Sequence, residues 1–169
     1  MPLPRRRTDR FAIPVAIMTM ATLLLSGCSA GEDTVNANDA NGAKDAVVTI
    51  VDDTSDALGG EWDVYSGPAV EGCTMSDGSD GATYSYIKTL RPGGADPESD
   101  VAAVESLWRD RGMTTERYES GGDDPILGVR GEEEASGSLD FLADARMYSV
   151  SGLSACVEGD AAQLQNDGE

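Results

Sequence analysis

Between residues 62 and 157 the apolar residues come in six short bursts, and this broken rhythm constrains the fold more than any other feature of the chain. The segments Trp62–Ser66, Ala82–Leu90, Met113–Glu119, Ile126–Gly131, Ser138–Leu142 and Arg146–Val157 are rich in β-formers or alternate apolar with polar residues, and Gly, Pro and Asp clusters separate them. Gly121-Gly122-Asp123-Asp124-Pro125 and Ala143-Asp144-Ala145 are short enough to join antiparallel neighbours. Asp77-Gly78-Ser79-Asp80-Gly81 reads as a further turn.

Two stretches keep a helical period instead. Val47, Ile50, Val51, Thr54 and Leu58 fall on one helix face from about Lys44 to Leu58, with Gly59 as a stop, although the β-branched run Val47–Val51 also suits a strand. The second is marked more fully. Asp96 is an N-cap, Pro97 takes the first helical position, Val101, Val104, Leu107 and Trp108 form the stripe, and Gly112 follows the last turn. An antiparallel sheet with two helices packed on one face buries both stripes and one side of each strand, so the expected class is α+β.

The N-terminal segment obeys different rules. Arg5, Arg6, Arg7 and Arg10 precede an apolar run, Phe11–Leu25, that is shorter than the ~20 residues of a stable membrane span. Leu25-Ser26-Gly27-Cys28 closes the run and resembles the lipobox of bacterial lipoprotein precursors. The resemblance implies a signal peptide over residues 1–27, diacylglycerol on the Cys28 sulfur, and cleavage between Gly27 and Cys28. The expected location is then the extracytoplasmic side of the cell membrane, held by acyl chains that each contribute about 0.8 kcal/mol per buried methylene. Residues 28–43 are polar and small, with little to bury, and read as a flexible tether ahead of a single acidic domain over 44–169.

Together with this tether, Gly60-Glu61-Trp62, Gly72-Cys73-Thr74 and Ser154-Ala155-Cys156-Val157 look like the small cell-envelope lipoproteins of actinobacteria. That group carries no assigned activity, so the resemblance implies location and modification, not mechanism. With Cys28 lipidated, Cys73 and Cys156 remain, and in an exported domain such a pair is expected to form a disulfide.

The sequence carries 31 acidic residues against 12 basic ones, a net charge of −19. Loss of four Arg and one Asp with residues 1–27 takes it to −22. That balance opposes phosphate backbones, so nucleic acid is not an expected partner; an envelope protein or cell-wall component is. There is no histidine, which excludes Ser-His-Asp and Cys-His nucleophile systems and histidine-held zinc or haem. No cofactor is expected.

Candidate chemistry is thin. Ser85-Tyr86-Ile87-Lys88 matches S-x-x-K, but in a strand positions i and i+3 face opposite ways, whereas the mechanism needs both on one side. Asp52-Asp53, Asp123-Asp124 and Glu132-Glu133-Glu134 would need two carboxyls set across a cleft to act as acid and base. Trp62, Tyr65, Tyr84, Tyr86, Trp108 and Tyr148 are candidates for a sugar-stacking surface, with Trp108 expected in the core and Tyr84 and Tyr86 able to face either way. The expectation is an envelope lipoprotein that binds or organises and does not catalyse. The alternatives are a small carboxylate-dependent hydrolase or transferase, and a cation or small-ligand binder.

Overall fold

The structure is a computed structural model, and it describes residues 39–133 and 137–167. The expected signal segment, the expected cleavage and lipidation site at Gly27–Cys28, the first part of the expected tether and Glu134 lie outside the described residues. Chain order is α1 (Ala40–Leu58), β1 (Trp62–Thr74), β2 (Asp80–Leu90), α2 (Pro97–Asp110), β3 (Thr114–Ser120), β4 (Ile126–Glu133), β5 (Gly137–Asp144), β6 (Met147–Leu153), β7 (Val157–Glu158) and α3 (Ala161–Asp167). All strand pairs are antiparallel, in the order β1-β2-β6-β5-β4-β3, with β7 beside the first residues of β2. The class is α+β, as the strand and helix periods require. Among the described residues no helix is long and apolar enough to cross a membrane.

Helix α1 starts earlier than the polar character of residues 40–43 suggests. The Asp39 carboxylate accepts the Gly42 N–H at 2.8 Å, and Ala43 is 2% exposed, so the end of the expected tether is folded. Small residues carry no hydrophobic signal, yet close approach to a neighbour buries them. Val47, Ile50, Val51 and Thr54 are buried as their spacing dictates, and Leu58 is partly so. In α2 the Asp96 side chain accepts the Ser99 N–H at 3.2 Å and Pro97 opens the helix; Val101, Val104 and Trp108 are buried, and Gly112 follows at positive φ.

Strand alternation assigns each side chain to a layer. Tyr84, Tyr86 and Lys88 of β2, Tyr148 and Val150 of β6, Phe141 of β5 and Val129 of β4 point at the helices. Helix α1 crosses β2 and β6, and α2 crosses β4 and β5. Glycines permit the approach: a Cβ on Gly152 would come within 2.6 Å of Val47, and one on Gly131 within 2.8 Å of the Trp108 ring. Between the helices, the Trp108 indole donates to Thr54 Oγ1 at 3.0 Å. Tyr148, 1% exposed, stacks edge-on against Phe141 and donates its hydroxyl to Asp100 at 2.6 Å.

Two strands depart from the expected bounds. β1 runs on to Thr74 through register shifts on either side of Ser66, which leave Pro68 on an edge strand where its missing N–H is tolerated. The segment Arg146–Val157 is divided, because Ser154 interrupts the ladder. Its backbone N–H donates to Tyr84 O and its hydroxyl accepts the Tyr84 N–H, each at 2.9 Å. The side chain thus stands in for a backbone carbonyl. Cys73 and Cys156 form a disulfide, with Cα atoms 6.0 Å apart, that ties β1 to the segment entering β7. Helix α3 was not expected: Asp160 caps it, and Leu164 and Gln165 rest it on β1 on the same side as α1 and α2.

Candidate functional site

The described helices all lie on one side, and among the described residues no layer covers the opposite side of the sheet. Its cross-strand register sets Glu116, Arg130, Asp140, Ser151 and Ile87 in one row, and Tyr118, Gly128, Leu142, Ser149 and Thr89 in the next. A shallow depression of about 450 Å³ lies here, lined by Ser85, Ile87, Arg130, Asp140, Ser151 and Leu153 among others. Leu153 is one of the exposed large apolar residues, at 41%.

At one margin three side chains hold each other. The Tyr118 hydroxyl donates to Asp140 Oδ1 at 2.5 Å, Arg130 Nε donates to Asp140 Oδ2 at 3.1 Å, and the Arg130 guanidinium carbon stands 4.4 Å from the Tyr118 ring centroid. Gly128 makes room, since a Cβ there would meet Tyr118 Cζ at 2.5 Å. Burial first, and then the Asp140 hydrogen bond and charge, push the Tyr118 phenol up to about 12; the Arg130 charge opposes this. The phenol is therefore a neutral donor at physiological pH, and Arg130 and Asp140 satisfy one another. The arrangement presents fixed hydrogen-bonding groups beside aliphatic surface, which suits recognition.

The described residues of the three acidic runs sit on separate elements of the fold. Asp52 sits on α1, where it accepts from Lys88 at 2.9 Å and from the Tyr86 hydroxyl at 3.4 Å, while Asp53 beside it pairs with Arg111 at 2.7 Å. Asp123 and Asp124 lie in the β3–β4 turn, and Glu132 and Glu133, although they alternate across β4, both border an open depression of about 530 Å³ with Thr114, Ser138 and Ser154. Glu105, which sequence reasoning passed over, is 8% exposed and is held by Arg109 at 2.7 Å and Arg117 at 2.6 Å, so its charge is paired within the α2–β3 packing. Among the described residues no group of three or more His, Cys, Asp or Glu side chains could hold a metal ion.

Ser85 and Lys88 separate as strand geometry demands: the Ser85 hydroxyl donates to Glu71 at 2.9 Å on the open side, and Lys88 meets Asp52 on the helix side. Of the aromatic candidates, Trp108, Tyr84, Tyr86 and Tyr148 are buried under the helices. Tyr65 is 72% exposed, and the Trp62 indole donates to Gly59 O at 2.9 Å. These six do not form one platform. Tyr118 stands on the open face, and its only sequence signal is a tyrosine in an alternating strand, which acquires meaning once β3 is registered against Gly128.

No protein family matches the chain, and no curated protein matches it. The crystal structure of a DUF4853 family protein from Actinomyces odontolyticus is similar to it with a TM-score of 0.46 and 17% identity, covering 70% of this chain and 63% of that one. The chain thus spans somewhat under two thirds of that structure's length.

Proposed function

We propose that this protein is a lipoprotein of the cell membrane, anchored through Cys28 on the extracytoplasmic side, whose domain binds an envelope protein or wall component and performs no turnover. The observation that supports this reading is the uncovered side of the sheet. A two-layer domain would bury more apolar surface by covering both sides, and this chain instead lines the exposed one with serines, an Arg130–Asp140 pair and isolated aliphatics. Such a mixture tolerates water and complements a polar partner surface with a modest apolar centre.

The test places a photo-crosslinking residue at Leu153 or Ser151 of the full chain in intact cells, with Glu98 on α2 as the control position. A discrete adduct at the first two positions that the control lacks, and that Arg130→Glu abolishes, is the expected result. Equal labelling at all three positions would remove the case for this face. Turnover of a peptidoglycan, ester or peptide substrate that one Asp or Glu substitution abolishes would replace the reading with an enzymatic one.

A further inference from the structure

On the helix side, away from the open face, a cleft of about 650 Å³ lies between the first turns of α1, the middle of β1 and the end of α3. Its size is that of a small-molecule site. Asn41 and Lys44 come from α1, Gln165 and Asp167 from α3, and Tyr84 forms part of the wall. Pro68, Ala69, Val70 and Leu164 supply an apolar side.

Two features of the lining are without explanation in the folding of the chain itself. Eight Lys and Arg residues are described, and six pair with carboxylates. Arg91 is exposed in a turn, whereas Lys44 is half-buried and its ammonium has no hydrogen-bond or ion-pair partner, in a chain with 31 acids. The second feature is Tyr84. It is 6% exposed, and its hydroxyl makes no hydrogen bond to the protein. Among the described residues no sealed side-chain polar atom lacks a partner, so this hydroxyl is not sealed from solvent, and Tyr84 borders the cleft. An unpaired ammonium on a half-buried lysine and an unpaired phenol lining the same cavity leave donor capacity that a bound oxygen acceptor would satisfy.

We propose that this cleft binds an amino acid or short peptide by its free carboxylate, with Lys44 pairing the carboxylate and the Tyr84 hydroxyl donating to it. The lining selects this class over a dianion. One ammonium balances one negative charge, Asp167 on the same cleft repels a second and attracts a ligand ammonium, and the field of a chain at −19 disfavours phosphate. The Asn41 and Gln165 amides offer partners to a peptide bond, and the Pro68–Val70 wall accepts a small aliphatic side chain.

The experiment uses the full chain in a non-ionic detergent, with titrations followed by calorimetry and by backbone amide NMR. The probes are alanyl-alanine, its C-terminal amide, and inorganic phosphate. Alanyl-alanine is expected to saturate and to shift amides of residues 41–44, 69–70, 84 and 164–167. The amide-capped probe should bind at least about tenfold more weakly, the loss expected for a charge-assisted hydrogen bond. Lys44→Gln should weaken alanyl-alanine by a similar factor, and Tyr84→Phe by about threefold. Both variants remove groups that have no protein partner, so an unchanged melting temperature certifies the fold. Failure of alanyl-alanine to saturate, equal binding of acid and amide, tighter binding of phosphate, wild-type affinity in both folded variants, or shifts confined to other residues would each overturn the proposal.

Discussion

Replacing Thr54 by Val tests whether the bond between the helices is worth what its burial implies. Thr54 and Trp108 are each 0% exposed, and Thr54 Oγ1 both donates to Ile50 O at 2.7 Å and accepts the Trp108 indole N–H at 3.0 Å. Valine keeps the branched shape at similar helix propensity but leaves the indole N–H buried with no acceptor and no access for water. A buried donor left unsatisfied costs about 1–3 kcal/mol, which in a domain of this size lowers the melting temperature by roughly 4–10 °C. Trp108→Phe costs more, because it also opens a cavity, roughly 2–4 kcal/mol. The two changes are not independent. Once the indole is gone there is no donor to strand, so Thr54→Val added to the Trp108→Phe variant should cost close to nothing. Denaturant unfolding of the four proteins, followed by far-ultraviolet circular dichroism, measures the cycle. A Thr54→Val cost that is the same in both backgrounds, or below about 0.5 kcal/mol in the first, would show that the bond does not couple α1 to α2.

Reduction of Cys73–Cys156, whose partners are 83 residues apart, should lower stability by up to about 4.5 kcal/mol on the chain-entropy account, read as a fall in melting temperature with reductant. Two alkylatable thiols in protein purified without reductant would contradict the bridge. Tyr118 binds its proton more tightly folded than unfolded, so the stability it contributes is intact below pH 10 and is lost as pH rises through about 12. Burial raises Tyr84, Tyr86 and Tyr148 as well, so alkaline difference absorbance should show several late-titrating phenols, one of which Tyr118→Phe removes and Asp140→Asn shifts downward; an unchanged late amplitude in Tyr118→Phe would refute the assignment. Gly128→Ala should displace the Tyr118 ring from Asp140 and destabilise the β3–β4 edge by about 1–3 kcal/mol, whereas Gly122→Ala in the adjoining turn, where a Cβ meets nothing within 4 Å, serves as the control. Cys28→Ala should release the protein from membranes or stall it as a precursor. Wild-type fractionation of the Ala variant, with no acyl mass on the native N-terminus, would remove the lipid anchor.

Much of this fold is written locally. Asp96-Pro97 and Gly112 bound α2 because caps act over one turn, and the stripes of α1 and α2 appear as intervals in the sequence because one face of each helix must meet apolar partners. Alternation located all six predicted strands, and it separated Ser85 from Lys88 before any neighbour was known. Where local signals are weak, the chain gave less away. Ala40–Ala43 reads as tether until Ala43 is seen against the sheet, and Asp160–Asp167 is too short to hold a helix without Leu164 and Gln165 docked on β1. Ser154 divides an apparently continuous strand because its hydroxyl captures the Tyr84 N–H, 70 residues away.

The candidate sites lie beyond sequence reasoning for the same reason. Tyr118, Arg130 and Asp140 come from three strands and meet through register, while Lys44, Tyr84 and Gln165 come to border one cleft through the packing of two helices over β1 and β2. The sequence by itself determined the periods, the capping of α2 and hence most of the secondary elements, since those depend on residues a few positions apart. The tertiary structure decided which face stays open, which acids are neutralised and which cations stay unpaired, because these depend on contacts that chain spacing does not encode.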